Sequence, residues 1–271
     1  MGLKITTLPI SNYMTAYPIS VDPKVPLTEA INFMVERGFG NLVVSDGIIP
    51  KGILTEREIL KAIIDSKDFH KLKVQDVGWQ PYVKLSLGHT VLDAAHQMIR
   101  KKSRLLVFDG DKLVGIVTVS DLLRVFRKTR NDSPLDDIVS TKVEKCKSSN
   151  SIFDAVRKLH EKRIGSIIID DMKGNGIFTE RDLLKHIASD KFDLYDQVGK
   201  YSSSPVIVAN VGITVHEAAS IMASKNIKRL GLIKDGLLVS MATARDIVDA
   251  YQAEYQVTNP YLEDLSEYIS G

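Results

Sequence analysis

The sequence predicts an α+β fold assembled from four copies of one strand-helix-strand-strand-helix unit. Three observations carry this. A signature of glycine or serine, two mostly apolar residues, threonine, two spacers, an acid and an apolar residue recurs around Thr55, Thr118, Thr179 and Thr243, spaced 63, 61 and 64 residues apart. A second marker, an acid followed by alanine, recurs in phase at Glu29, Asp93, Asp154 and Glu217, spaced 64, 61 and 63 residues apart. Each interval also holds an apolar run followed by a turn signal, Asp46-Gly47, Asp109-Gly110, Lys173-Gly174-Asn175 or Asp235-Gly236. Such dipeptides mark tight hairpins, and independent markers at one period mark a repeat architecture.

The elements of a unit follow in order. An extended segment comes first: Tyr17 to Val21, Pro81 to Leu85, Lys142 to Cys146, and Pro205 to Val208. A helix follows, with apolar residues at 3.6-residue spacing such as Leu27, Ala30, Ile31, Met34 and Val35, or Ile152, Ala155, Val156 and Leu159. Thr28, Thr90, Ser151 and Thr214 lie at or near these helix starts. The hairpin's first arm is Leu42 to Val44, Leu105 to Phe108, Ile167 to Ile169, or Leu230 to Ile233, and its second arm runs into the threonine signature. That threonine suits a helix N-cap, and acids such as Glu180 and Asp182 suit the positive end of the closing helix. A unit of this size buries little core alone, so units should pair. The polar stretch Arg127 to Pro134 reads as a linker dividing the units two and two, and Pro260 to Leu265 as a short final helix in the tail.

The chain has 271 residues, 44% hydrophobic and 26% charged, with net charge +2. That is an ordinary globular composition, with no global attraction to nucleic acid or an anionic membrane. Cys146 is the single cysteine, so no internal disulfide and no multi-cysteine metal site can form. No signal-peptide core and no membrane-spanning apolar run is visible, and the expected location is cytoplasmic. No Walker loop, Gly-x-Gly-x-x-Gly turn or nucleophile–base pair appears. His216-Glu217 and His160-Glu161 begin like a zinc motif, but the second histidine is missing. A non-enzyme without a catalytic cofactor or metal is expected. Arg124, Arg127, Lys128 and Arg130 form a basic cluster without interleaved aromatics, which reads as a solvated linker rather than a nucleic-acid surface.

The start of the closing helix is the candidate site. Its N-terminus, with a hydroxyl and a cation such as Arg181, suits a phosphate. A carboxylate one turn in, such as Asp182, can accept bonds from a sugar diol, each worth about 1.5–3 kcal/mol.

The Gly-apolar-x-Thr/Ser-x-x-Asp-apolar signature, together with Met14-Thr15 and Pro18 near the start, resembles the cystathionine beta-synthase (CBS) domain family. The resemblance covers residues 8–252, giving repeats at 8–66, 72–127, 134–190 and 196–252 and a tail at 253–271. It implies repeats paired into two Bateman modules that form a disc, like stand-alone archaeal and bacterial CBS proteins and the gamma subunit of AMP-activated protein kinase. It implies a regulatory sensor that binds AMP, ADP, ATP or S-adenosylmethionine and acts through a regulated protein, with a homodimer of discs allowed. The alternatives are a ligand-independent interaction scaffold and, below it, a nucleic-acid-binding regulator.

By the same resemblance the signature acid holds the ribose hydroxyls and the threonine contacts ribose or phosphate. The implied residues are Thr118, Ser120 and Asp121, then Thr179, Arg181 and Asp182, then Thr243, Arg245 and Asp246. Thr55 stands with Glu58, whose extra methylene should push its carboxylate past the ribose position. Arg57, Arg181 and Arg245 are offered to phosphates, as are Arg104, Lys228 and Arg229. Ile19, Tyr82, Val143 and Val206 are expected to frame the adenine. The third repeat keeps glycine, threonine, arginine and aspartate together, which makes it the preferred site.

Overall fold

The computed structural model describes residues 5–65, 68–101, 104–139, 143–189 and 192–258. Four copies of the expected unit are present. The first runs through β1 (Thr15–Ala16), β2 (Ser20–Val21), α1 (Leu27–Arg37), β3 (Asn41–Val44), β4 (Gly52–Thr55) and α2 (Glu56–Asp65), with a short α3 (Val74–Val77) after it. The second comprises β5 (Tyr82–Ser86), α4 (Val91–Lys101), β6 (Arg104–Asp109), β7 (Lys112–Val117) and α5 (Val119–Phe126). The third has β8 (Lys145–Cys146), α6 (Ile152–Lys162), β9 (Ser166–Ile169), β10 (Gly176–Thr179) and α7 (Glu180–Ile187). The fourth has β11 (Val208–Asn210), α8 (Val215–Lys225), β12 (Arg229–Lys234), β13 (Leu237–Thr243) and α9 (Ala244–Thr258).

Each hairpin is antiparallel, as at Asn41 opposite Thr55 or Gly176 opposite Ile169. In repeats 1, 3 and 4 the leading strand joins the hairpin in parallel. All four residues lie at or near the predicted helix starts, and three of them act as caps. Ser151 and Thr214 accept the N–H groups of Asp154 and Glu217, and Thr90 caps α4 through Asp93. Thr28 lies inside α1 instead, because Pro26 occupies its N-cap. Proline is suited to a helix start since it lacks the N–H that would go unpaired.

The contacts divide the chain into two compact units. One holds residues 17–82 and 142–207, and the other holds residues 1–16, 83–141 and 208–271. Repeats 1 and 3 share the first unit, where α1 packs on α7 and α2 on α6. Repeats 2 and 4 share the second, where α4 packs on α9 and α5 on α8. The apolar stripes read from sequence meet there: Leu27, Ile31, Met34, Ile59, Ile152, Leu159, Leu183 and Phe178 belong to one buried cluster.

Consecutive repeats are tied differently, through their leading segments. β1, from the head of repeat 1, pairs antiparallel with β7 of repeat 2, Thr15 opposite Ile116. Gln80, from the head of repeat 2, bridges to Ile53 on β4 of repeat 1. Ser203, from the head of repeat 4, bridges to Ile177 on β10 of repeat 3. The compact units are therefore cut a few residues inside each repeat as read from sequence.

This exchange explains the signature glycines of repeats 1 and 2, whereas a Cβ on Gly176 would meet Met172 Sδ of its own repeat at 2.7 Å. A Cβ on Gly115 would lie 2.2 Å from Met14 Sδ, and one on Gly52 would lie 2.1 Å from Trp79 Cδ1 and 2.7 Å from the Gln80 carbonyl oxygen. The glycine leaves room for the incoming segment. Ser240, in the glycine's place in repeat 4, is buried.

Two expectations change. Arg127 to Pro134 is packed rather than a free linker: Thr129 and Asn131 are buried, and the Tyr251 hydroxyl donates to the Phe126 and Thr129 carbonyls at 3.0 and 2.9 Å. The fourth repeat's closing helix also runs past residue 252 to Thr258, while the helix expected at Pro260 to Leu265 lies outside the described residues.

Gly52→Ala is expected to destabilise the chain by about 1–3 kcal/mol, since the clash is with a ring and a backbone oxygen. Gly115→Ala, opposed by a flexible methionine, should cost less, and urea midpoints of the two variants would rank them.

Candidate functional site

The four threonine–acid pairs adopt one local geometry. The threonine ends the strand, the acid lies three residues on in the first turn, and the acid's carboxylate turns back to the N-cap. Thr179 N–H and Oγ1 donate to Asp182 Oδ2 at 3.0 and 2.7 Å. Thr118 N–H and Oγ1 donate to Asp121 Oδ2 at 2.7 and 2.6 Å. Thr243 N–H donates to Asp246 Oδ2 at 2.7 Å. Glu58 does the same despite its extra methylene: its Oε2 accepts from Thr55 N–H at 3.0 Å and from the Thr55 hydroxyl. The longer chain of Glu58 folds back so that its Oε2 takes the place at the cap that Asp Oδ2 takes in the other repeats. This is a capping box, worth about 1 kcal/mol per helix.

One oxygen of every acid is therefore committed to the helix, and the sites differ at the other. In repeat 1, Gln80 Nε2 donates to Glu58 Oε1 at 2.7 Å. In repeat 2, Asp121 Oδ1 accepts from Thr15 Oγ1 at 3.2 Å and from the Arg124 guanidinium, and Asp121 is 1% exposed. In repeat 3, Asp182 Oδ1 has only the Lys185 ammonium, 3.8 Å away and beyond hydrogen-bond reach. In repeat 4, Asp246 Oδ1 has no hydrogen-bond donor among the described residues, and the residue one turn on is Asp249. Among the described residues, two acids are filled from within and two keep an oxygen open.

The arginines between threonine and acid go elsewhere. Arg181 Nη2 donates to the Gly38 carbonyl, at the C-cap of α1, at 2.8 Å, and its Nε lies 3.6 Å from Glu56. Arg57 mirrors it, reaching the Arg163 carbonyl at the C-cap of α6 at 3.4 Å, with Glu180 at 3.9 Å. Arg245 Nη2 donates to the Met98 carbonyl in α4 at 2.7 Å, while Ser120 holds the matching place in repeat 2. A cation at a helix C-terminus is favourable. Arg57, Arg181 and Arg245 are thus engaged with the helix ends of the repeat sharing their unit, while Arg229 Nη1 donates to the Lys228 carbonyl at 2.9 Å.

The residues expected to frame an adenine occupy leading segments. The Ile19 carbonyl accepts from Val43 N–H at 3.0 Å, and Ile19 lines a small cavity with Val21, Val25, Phe33 and Leu42. The Tyr82 hydroxyl donates to the Pro50 carbonyl at 3.3 Å. Val206 is buried and its N–H donates to the Asn175 carbonyl. Val143 is half-buried just before β8. Sequence reading missed Gln80, Thr15 and Ser203; the only local signal was their place at the head of the following extended segment.

Among the described residues no group of three or more histidines, cysteines or acids is placed to hold a metal, and no helix is long and apolar enough to cross a membrane. In the basic stretch, Arg124 and Arg130 are paired with Asp121 and Asp132.

The CBS domain model matches residues 10–65, 74–128, 135–189 and 198–253. The chain belongs to the CBS domain family. Among curated relatives of this CBS protein, the uncharacterized protein MJ1404 of Methanocaldococcus jannaschii is 24% identical over 96% of this chain and 68% of its own length. An uncharacterized 33.4 kDa protein of Thermofilum pendens is 30% identical over 63% of this chain, which spans 61% of that relative. Among solved structures, MJ1225 of M. jannaschii superposes with a TM-score of 0.78 at 18% identity, over 90% of this chain and 100% of that one. An uncharacterized conserved protein of Pyrococcus horikoshii gives 0.62 at 23% identity, over 89% and 99%. These likenesses establish the four-repeat CBS fold.

Burial pushes the Cys146 thiol up to about 11, so iodoacetamide should label it at pH 8 far more slowly than a free thiol. Replacing Arg181 by alanine should cost about 1 kcal/mol, since the Gly38 carbonyl and Glu56 lose their cation. Urea denaturation of wild type and variant would measure it.

Proposed function

We propose that this CBS protein is a regulatory sensor that binds an adenosyl ligand, AMP, ADP, ATP or S-adenosylmethionine, and passes its occupancy to a protein partner. The observation that carries this reading is the open second oxygen of Asp182, held beside the N-terminus of α7 by its capping box. A ribose offers two hydroxyl donors, and such an oxygen is a charged acceptor already oriented for them at no further entropic cost. The hydroxyl-bearing helix start can receive phosphate or another anionic group. Asp246 with Thr243 offers a second site of the same kind.

Arg181 and Arg245 serve in this reading to set the helix that carries the acid, and Ile19, Tyr82, Val143 and Val206 remain the candidates for adenine contact. MJ1225, which shares the fold, has itself been proposed as an archaeal homolog of g-AMPK, which agrees with a sensing role. A ligand shifts a regulated state only if it binds that state better than the alternative. The non-catalytic and cytoplasmic assignments belong to the same proposal.

Asp182→Ala should weaken AMP or S-adenosylmethionine binding at one site at least tenfold, about 1.4 kcal/mol, with the fold retained. Titration calorimetry showing unchanged affinity and stoichiometry would overturn the assignment. Asp121→Ala should leave ligand binding unchanged, yet destabilise the chain by about 2–3 kcal/mol, because it strips partners from Arg124 and the α5 cap. Thermal melts would show that loss.

A further inference from the structure

The unfilled acids invite a question about the filled ones. Gln80 is held in place by its backbone as well as its side chain. Its N–H donates to the Ile53 carbonyl and its carbonyl accepts from the Ile53 N–H, both at 2.9 Å. Trp79, the residue before it, seats against Gly52. The bridge leaves the Gln80 carboxamide on Glu58 Oε1, and Glu58 is 7% exposed. A carboxamide N–H at that oxygen is chemically what a ribose hydroxyl would be: one donor to one carboxylate oxygen. Repeat 3 has the same backbone bridge, Ile177 with Ser203 at 2.8 and 2.9 Å. Its side chain there is an exposed serine that makes no bond to Asp182. In repeat 2 the matching position is Thr15, whose hydroxyl does reach Asp121.

We propose that the leading-segment residue opposite the signature strand decides whether a repeat can take a diol, and that Gln80 is a built-in occupant closing repeat 1. The inference rests on the reading of Asp182 as a ribose acceptor. It adds a residue that no threonine–acid signature contains. Thr15, aided by Arg124, closes repeat 2 by the same means, and Ser203, exposed and making no bond to Asp182, leaves repeat 3 open.

The test exchanges the plug between repeats in the full chain. Glu58→Asp with Gln80→Ser gives repeat 1 the threonine, aspartate and serine of repeat 3, and Ser203→Gln gives repeat 3 the plug of repeat 1. Sites are counted by titration with AMP and, in parallel, S-adenosylmethionine, with thermal melts confirming that each variant is folded. The double variant is expected to bind one more ligand than wild type, Glu58→Asp alone to add none, and Ser203→Gln to weaken the Asp182-dependent site at least tenfold. A gain with Glu58→Asp alone, no gain with the double variant, or undiminished binding by Ser203→Gln would overturn the proposal. The two readings fail differently. A wild type that binds nothing, with a double variant that binds one, removes the function proposed for Asp182 and keeps the plug. A wild type that binds through Asp182, with a double variant that adds nothing, does the reverse.

Discussion

Each repeat depends on one interaction, the reciprocal bond between a strand-ending threonine and an acid three residues into the next helix. It fixes the sharp turn from β4, β7, β10 and β13 into the closing helices, and it satisfies N–H groups that would otherwise be orphaned at a helix start. It also spends one carboxylate oxygen and aims the other. In the proposed function, stability and ligand chemistry are thus drawn from the same side chain. The helix therefore needs the acid whether or not its second oxygen is free.

Around this local motif the fold is built by two kinds of exchange. Helix packing joins repeat 1 to 3 and repeat 2 to 4, and arginines lock the first pair reciprocally, Arg57 to the end of α6 and Arg181 to the end of α1. The second unit has the lock on one side only, since Ser120 replaces the arginine. Leading segments join consecutive repeats instead, those of repeats 1, 2 and 4 lying on the signature strand of the neighbour. The signature glycine serves that exchange by leaving space for Met14 or Trp79.

The sequence by itself determined the repeat number, the order of elements, the residues at the helix starts and the threonine–acid pairs. These are legible because each is a relation within one or two turns of chain: apolar spacing, a turn dipeptide, a cap and its partner three residues on. It also singled out repeat 3, by the completeness of its signature. It did not reveal where the arginines point or which carboxylate oxygens are already taken. Those depend on partners far along the chain: Gly38 lies 143 residues from Arg181, Thr15 lies 106 from Asp121, and Gln80 lies 22 from Glu58. Only tertiary structure decided them, because a hydrogen bond depends on donors and acceptors brought within about 3 Å, whatever their separation in sequence. A threonine–acid pair of one local geometry therefore spells an open acceptor in one repeat and a filled one in another.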